Sequence, residues 1–463
     1  MSKHASSTHA ISLNPANGQV FAEYPFESAE QLEHSLTRAA NGFKTWRKVP
    51  VSQRAELLLN LAKVLRQKAE AMAQMITAEM GKPIAQARAE VEKCAVTCEW
   101  YAQHGPAMLV PEKTPVENDK AYIAYLPLGP VLAVMPWNFP IWQVLRGAIP
   151  MILAGNGYVL KHAPNVMGCA YLLRDAWIEA GLVEGVFEVI NVTNEGVSKA
   201  IADPRIAAVA VTGSVRAGSA IASQAGAALK KCVLELGGSD PFIVLADANL
   251  DEAVKAAMVG RYQNSGQICV AAKRIIVEES VLPLFTEKFV AAVKALKVGD
   301  PLSEANYIGP MARYDLRDEL LGQVKATLAE GASLLLGGDV IGGEGNYFAP
   351  TILGDIKPGM TSFKEELFGP VASLITARDA EHAVELANDS EFGLAGSVWT
   401  ADEALARDIA SRLETGGVFI NGYTASDARV PIGGVKKSGF GRELSHFGIR
   451  EFCNAQTVWI DRR

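Results

Sequence analysis

Between residues 131 and 213 four short apolar runs follow one another: VLAVM (131–135), GYVLK (157–161), FEVI (187–190) and AAVAVTG (207–213). They are near-continuously hydrophobic, the pattern of strands buried on both faces. Longer amphipathic stretches follow most of them, as in GCAYLLRDAWIEAG (168–181) and SVRAGSAIASQAGAALKK (214–231). Strand–helix alternation of this kind predicts a parallel sheet with helices covering its faces.

Working outward, a second series starts near Glu235. PFIVLAD, AAKRIIVEES, SLLLGG and VASLITARD have strand character, and DEAVKAAMVGRYQ and LPLFTEKFVAAVKAL have helical character. The expectation is two α/β domains meeting near 234–236, with ligands bound beyond the carboxyl ends of the strands. Toward the start of the chain, residues 52–80 keep apolar positions at helical spacing, and Gly81 followed by Pro83 ends that helix.

Composition narrows the class. The 463 residues are 49% hydrophobic and 21% charged, with 44 Lys+Arg against 51 Asp+Glu. A mildly acidic chain is not built mainly for nucleic acid or an anionic membrane. The opening MSKHASSTHAISLNPANGQ lacks the apolar core of a secretory signal. The longest uncharged stretch, 121–145, contains Pro127, Pro130, Pro136 and Pro140, so buried strands and loops are expected there rather than a membrane helix. Six scattered cysteines do not form a disulfide framework, and a cytoplasmic location is expected.

Several residues could carry chemistry. Glu235 in CVLELGG is a carboxylate in an apolar strand: a general base with raised pKa, or half of a buried ion pair. Cys269 in NSGQIC is a nucleophile activated by a nearby helix start, or an inert buried thiol. Asn138 in MPWNFP, held between prolines, is an oxyanion donor or a turn cap. Gly213 and Ser214 in TGSVRAG join a strand to a helix whose N-terminus can face a phosphate. Lys161 ends GYVLK, where it meets a ribose, a phosphate or only water. Cys94 and Cys98 lie four apart on a helix, but no further His or Cys completes a metal site.

In order, EMGKP (79–83), PWNFP (136–140), GYVLK (157–161), TGSVRAG (212–218), LELGG (234–238), GQIC (266–269), EELFGP (365–370) and GGVKKSGFGRE (433–443) resemble the NAD(P)-dependent aldehyde dehydrogenase superfamily over essentially the whole chain. Within it the chain is most similar to the short bacterial succinate-semialdehyde dehydrogenases. The resemblance implies two Rossmann-like α/β domains with a small β oligomerisation flap. Residues 1–113 and 132–234, with 431–451 returning, would bind the dinucleotide. Residues 235–430 would carry the nucleophile, and 114–131 and 452–463 would form the flap and tail of a homodimer or homotetramer.

It further implies that Cys269 attacks an aldehyde, that Asn138 and the Cys269 N–H stabilise the oxyanion, and that Glu235 activates water against the thioester. Trp137, Lys161, His162, Pro164, Gly213, Ser214, Leu236, Glu366 and Phe368 would contact the cofactor. NAD-preferring relatives place a glutamate where this chain has Pro164, so NADP should be accepted alongside NAD. Arg146 matches an arginine that binds a substrate carboxylate. The second arginine of that clamp is Gln263 here, an assisting serine is Asp427, and Arg429 is a nearby substitute. Ala271 replaces a cysteine that forms a redox switch in some relatives. Two other chemistries compete. A CoA-acylating enzyme usually lacks the glutamate at 235, and a Cys–His hydrolase would need His162 as base. A broad-specificity oxidiser of uncharged aldehydes is the alternative within the superfamily.

Overall fold

A computed structural model describes residues 8–461. Residues 1–7 and 462–463, which fall in the expected first domain and tail, lie outside the described residues.

The four runs that set the fold class form one sheet. Its strand order is Gly439–Phe440, Lys231–Glu235, Ala208–Thr212, Pro130–Met135, Gly157–His162 and Phe187–Val189. All neighbours are parallel except Gly439–Phe440, which returns from the far end of the chain and pairs antiparallel with Lys231–Glu235. Helices Met167–Glu179 and Val215–Ala227 supply the expected crossovers. Leu132, Val159 and Val209 pack one face, and Val131, Tyr158 and Ala208 pack the other. This two-sided burial is why these strands show no polar alternation.

The second sheet has seven strands in the order Ser333–Leu336, Thr351–Ile356, Val371–Ala377, Ala272–Glu278, Asp240–Val244, Gly396–Trp399 and Val418–Ile420. Only Ser333–Leu336 runs antiparallel to its neighbour. Two expected boundaries shift. Glu235 closes a strand of the first sheet rather than opening the second half, and Pro130 and Val131, expected in the flap, begin a strand of the first sheet.

Residues 52–80 are not one helix. Val51–Gln67 and Ala69–Met80 meet at Lys68, whose φ of −97° and ψ of 7° leave helical geometry. Gly81 then ends the second helix in the left-handed conformation, φ 77°, its N–H donating to the Thr77 carbonyl at 2.9 Å.

Ala121–Pro127, in the expected flap, is the middle strand of a three-stranded sheet between Cys453–Trp459 and Glu112–Lys113. The long edge strand is Cys453–Trp459, which leaves Trp459 59% exposed.

Candidate active site

The loop carrying Cys269 connects helix Leu250–Tyr262 to strand Ala272–Glu278. Asn264, Ser265 and Gly266 are consecutive left-handed residues, with φ of 53°, 53° and 72°. For the two non-glycines this costs about 1 kcal/mol or more each, so contacts must hold them. The Asn264 N–H donates to Gln86 Oε1 at 2.8 Å, Asn264 Nδ2 to the Asn138 carbonyl at 2.9 Å, and Ser265 Oγ to the Gly309 carbonyl at 2.9 Å. At 266 only glycine fits, since a Cβ would stand 2.2 Å from the Gly369 carbonyl oxygen. Buried Arg261 completes the brace by donating to the carbonyls of Gly266, Leu367, Gly369 and Val371.

The same loop holds Asn138. Its Nδ2 donates to the Gln267 carbonyl at 3.0 Å, leaving the second amide hydrogen for the cleft. Gln267 is itself anchored, accepting from the Ala312 N–H at 3.0 Å. Behind the PWNFP turn, Glu90 Oε1 accepts from the N–H groups of Ile141 and Trp142, both at 2.9 Å, and so caps helix Trp142–Leu153. The other Glu90 oxygen pairs with buried Lys82, whose ammonium lies 3.6 Å over the Phe139 ring.

His162 does not contact the cofactor cleft, contrary to the expectation. It is 1% exposed; Nδ1 accepts from the Ala163 N–H at 3.0 Å, and Nε2 donates to the Pro140 carbonyl at 2.9 Å. Burial lowers its pKa to about 4. It is a neutral brace for the turn and is not placed to act as a hydrolase base.

A cleft of about 830 Å³ opens beyond the carboxyl ends of the first sheet's strands. Trp137, Asn138, Gly213, Ser214, Leu236, Cys269, Glu366 and Phe368 line it together. Trp137 meets Phe368 edge-to-face, ring centroids 5.8 Å apart. Ser214 caps helix Val215–Ala227 by accepting from the Ala217 N–H at 3.3 Å, and a Cβ on Gly213 would meet nothing within 4 Å. A helix N-terminus beside open backbone is a cradle for a phosphate. Lys161 is the penultimate residue of strand Gly157–His162, its charge is buried, and no carboxylate lies within 4 Å among the described residues; burial alone brings its pKa down to about 8. These residues fit a nicotinamide dinucleotide. Pro164 is exposed and adds no negative charge beside that lysine.

Burial pushes the Cys269 thiol up to about 11, with Arg146 and Lys273 pulling down and Glu235 and Glu366 pushing up. The expected helix start is absent among the described residues: a 3-10 turn over Gln263–Gly266 precedes Cys269 and a strand follows. The free thiol is therefore the resting form, and the nucleophile needs a base. Glu235 stands at the end of its strand, 3% exposed, with Oε1 unpartnered among the described residues. Burial raises its pKa to about 8; Arg146 pulls it down and Glu443 pushes it up.

Arg146 is 2% exposed and does not line the cleft. Its Nε pairs with Glu443, and Nη2 reaches Thr212 Oγ1 at 3.5 Å, leaving Nη1 without a partner among the described residues. Arg429 is not free to replace a missing clamp arginine. It grips Asp427 two residues away through Nε and Nη2, at 2.8 and 2.7 Å, so the two charges offset each other. Lys93 is the nearby cation without a carboxylate among the described residues. Its Nζ donates to Ser426 Oγ at 2.8 Å and lies 4.2 Å over the Trp142 ring, and burial lowers its pKa to about 8.

With this geometry in place, comparison with known proteins is direct. The aldehyde dehydrogenase family model matches residues 2–458. The chain belongs to the aldehyde dehydrogenase family. It is 65% identical over 455 residues to the NAD(P)+ succinate semialdehyde dehydrogenase Sad of Escherichia coli strain K12, covering 98% of each chain. It is 45% identical over 452 residues to an NADP+ succinate-semialdehyde dehydrogenase of Mycobacterium avium strain 104, covering 97% of this chain and 96% of that one. The crystal structure of succinic semialdehyde dehydrogenase from Streptococcus pyogenes with NADP+ superposes with a TM-score of 0.95 at 34% identity, covering 98% of this chain and all of that one.

For this aldehyde dehydrogenase, sequence reasoning missed the supports: Lys82, Glu90, Arg261, Lys273 and Glu443. One signal was available. Lys273 and Arg274 sit side by side in the otherwise apolar AAKRIIV, and charges on a buried strand must find partners. No helix among the described residues is long and apolar enough to cross a membrane.

Proposed function

We propose that this enzyme oxidises succinate semialdehyde, or a similar short ω-carboxy aldehyde, to the acid with NADP or NAD. The observation that carries the reading is the meeting of Cys269 and the Asn138 amide in one cleft, tied through the Gln267 carbonyl. The first sheet and its helices are the cofactor half, and the second sheet positions the nucleophile loop.

The Cys269 sulfur attacks the aldehyde carbon once its proton has passed to solvent. The thiohemiacetal oxyanion is met by the remaining Asn138 amide hydrogen and the Cys269 N–H. Lys161, Ser214 and Glu366 hold the dinucleotide, with Trp137 and Phe368 beside it; when bound it accepts the hydride. Glu235 then takes a proton from water, which attacks the thioester and frees the carboxylate product. The substrate carboxylate is met by the Lys93 ammonium and, once substrate entry uncovers it, by Arg146 Nη1, the guanidinium nitrogen that Glu443 and Thr212 leave without a partner. Two such enzymes pair along the Cys453–Trp459 edge, which covers Trp459 and gives a homodimer or a dimer of dimers.

Substrate recognition is tested with Arg146→Ala and Lys93→Met. A charged hydrogen bond is worth about 1.5–3 kcal/mol, so each variant should lose about 10- to 100-fold in kcat/KM for succinate semialdehyde, with little change for butanal. Equal losses on both aldehydes would refute carboxylate recognition by these cations.

Nucleotide use should depend on pH. The Lys161 ammonium is present below about pH 8 and lost above it. The KM for NADP, whose 2′-phosphate is anionic, should rise from pH 7 to pH 9 while that for NAD rises less. A parallel rise for both nucleotides would place the phosphate elsewhere.

A further inference from the structure

Lys273 stands four residues beyond Cys269, near the start of strand Ala272–Glu278, and is 1% exposed. Its ammonium donates to the Cys269 carbonyl at 2.6 Å, the Ile268 carbonyl at 2.9 Å and Glu366 Oε1 at 2.9 Å. Three N–H groups thus meet three oxygens, which is how a buried ammonium is tolerated.

Each of the three bonds reaches a reacting part of the site. The Ile268 carbonyl and the Cys269 N–H belong to one planar trans peptide and point in opposite directions. Fixing the carbonyl therefore fixes the direction of the N–H that faces the oxyanion. The Cys269 carbonyl bond fixes the next peptide plane, so the nucleophile is held on both sides. At Glu366, Oε1 also accepts from the Gly238 N–H at 3.1 Å, while Oε2 takes no hydrogen bond among the described residues. A Cβ on Gly237 would come within 2.3 Å of Oε2, so glycine there lets the carboxylate lie against the backbone that follows Glu235. One oxygen is anchored and the other is left for a hydroxyl of the bound cofactor.

We infer that Lys273 is a positioning residue that locks the nucleophile's backbone and the cofactor-binding carboxylate of Glu366 into one rigid unit. It thereby sets the distance between the sulfur-bound carbon and the hydride acceptor. This inference rests on the roles given above to Cys269 and Glu366.

The test uses the full-length enzyme with Lys273→Met and Lys273→Gln, each alone and combined with Glu366→Gln. A displacement of about 1 Å costs on the order of 10² in rate, so Lys273→Met should lower kcat by about that factor and raise the KM for NADP about 10-fold. In the Glu366→Gln background the further change in NADP KM should fall below about twofold, because the lysine then has no carboxylate to place. The alkylation rate of Cys269 by iodoacetamide, followed against pH without nucleotide, should shift to higher pH, since a positive charge near the sulfur is gone. A merely structural lysine would raise the NADP KM by the same factor whether or not residue 366 is a carboxylate. The same factor in both backgrounds, or an unmoved alkylation profile, would overturn the inference. If Glu366→Gln alone leaves the NADP KM unchanged, the role of Glu366 fails, and the alkylation profile still decides the part concerning Cys269. Lys273→Gln carries every arm if the methionine variant does not fold.

Discussion

Cys269→Ala is expected to reduce NAD(P)-linked aldehyde oxidation by a factor on the order of 10⁴–10⁶, to the background of the assay. No other thiol is placed to substitute. Cys94, Cys98, Cys169 and Cys453 are buried with thiols pushed up by burial, and Cys232 lies outside the residues lining the cleft. The variant should still bind NADP, because the cradle at Gly213 and Ser214, Lys161 and Glu366 is untouched. Fluorescence titration of the nucleotide separates the two results. Retention of more than about a tenth of the activity would show that Cys269 is not the nucleophile.

The second large effect is expected at Glu235→Gln. A general base contributes about 10²–10⁴ in rate, so steady-state turnover should fall by that factor. Because Glu235 acts on the water that hydrolyses the thioester, the first turnover survives, and rapid mixing should show a burst approaching one reduced nucleotide per active site. Mass spectrometry of the quenched enzyme should find the acyl group on the peptide containing Cys269. Wild-type turnover should rise with pH as Glu235 ionises near about 8, and that limb should vanish in the variant. Stability gives an independent reading. The folded carboxyl keeps its proton to about 8, whereas in the unfolded chain it ionises near about 4.3. Wild-type stability from this group therefore falls between those pH values, and the glutamine variant should melt higher than wild type at pH 9. A variant that melts lower and shows neither burst nor acyl peptide would contradict the assignment.

The fold was legible where burial is two-sided. VLAVM, GYVLK and AAVAVTG lie in the strands Pro130–Met135, Gly157–His162 and Ala208–Thr212, within a residue or so of their expected ends. The break at Lys68 was not legible, because the residue carries neither the glycine nor the proline that marks a helix end in sequence. Nor was the pairing of Arg146 with Glu443, which joins residues 297 apart. Periodicity reports which face is buried and says nothing about which distant charge will share it. The same limit hid Glu90, which reads as an ordinary helical acid and instead caps the helix after Asn138. Cys269, Asn138 and Glu366 were legible through motif order, and the structure brings all three to one cleft. The reactivity of Cys269 was not, because a thiol's pKa depends on the burial and charges that the fold assembles around it.

Carboxylate recognition is what would set this aldehyde dehydrogenase apart from a general aldehyde oxidiser. The most direct measurement is steady-state formation of NADH and NADPH by the wild-type enzyme with succinate semialdehyde and, separately, butanal. Oxidation is expected with both nucleotides, with a kcat/KM at least about 10-fold higher for succinate semialdehyde, the value of one charged contact. Equal kcat/KM for the two aldehydes would contradict carboxylate recognition and make the enzyme a general aldehyde oxidiser.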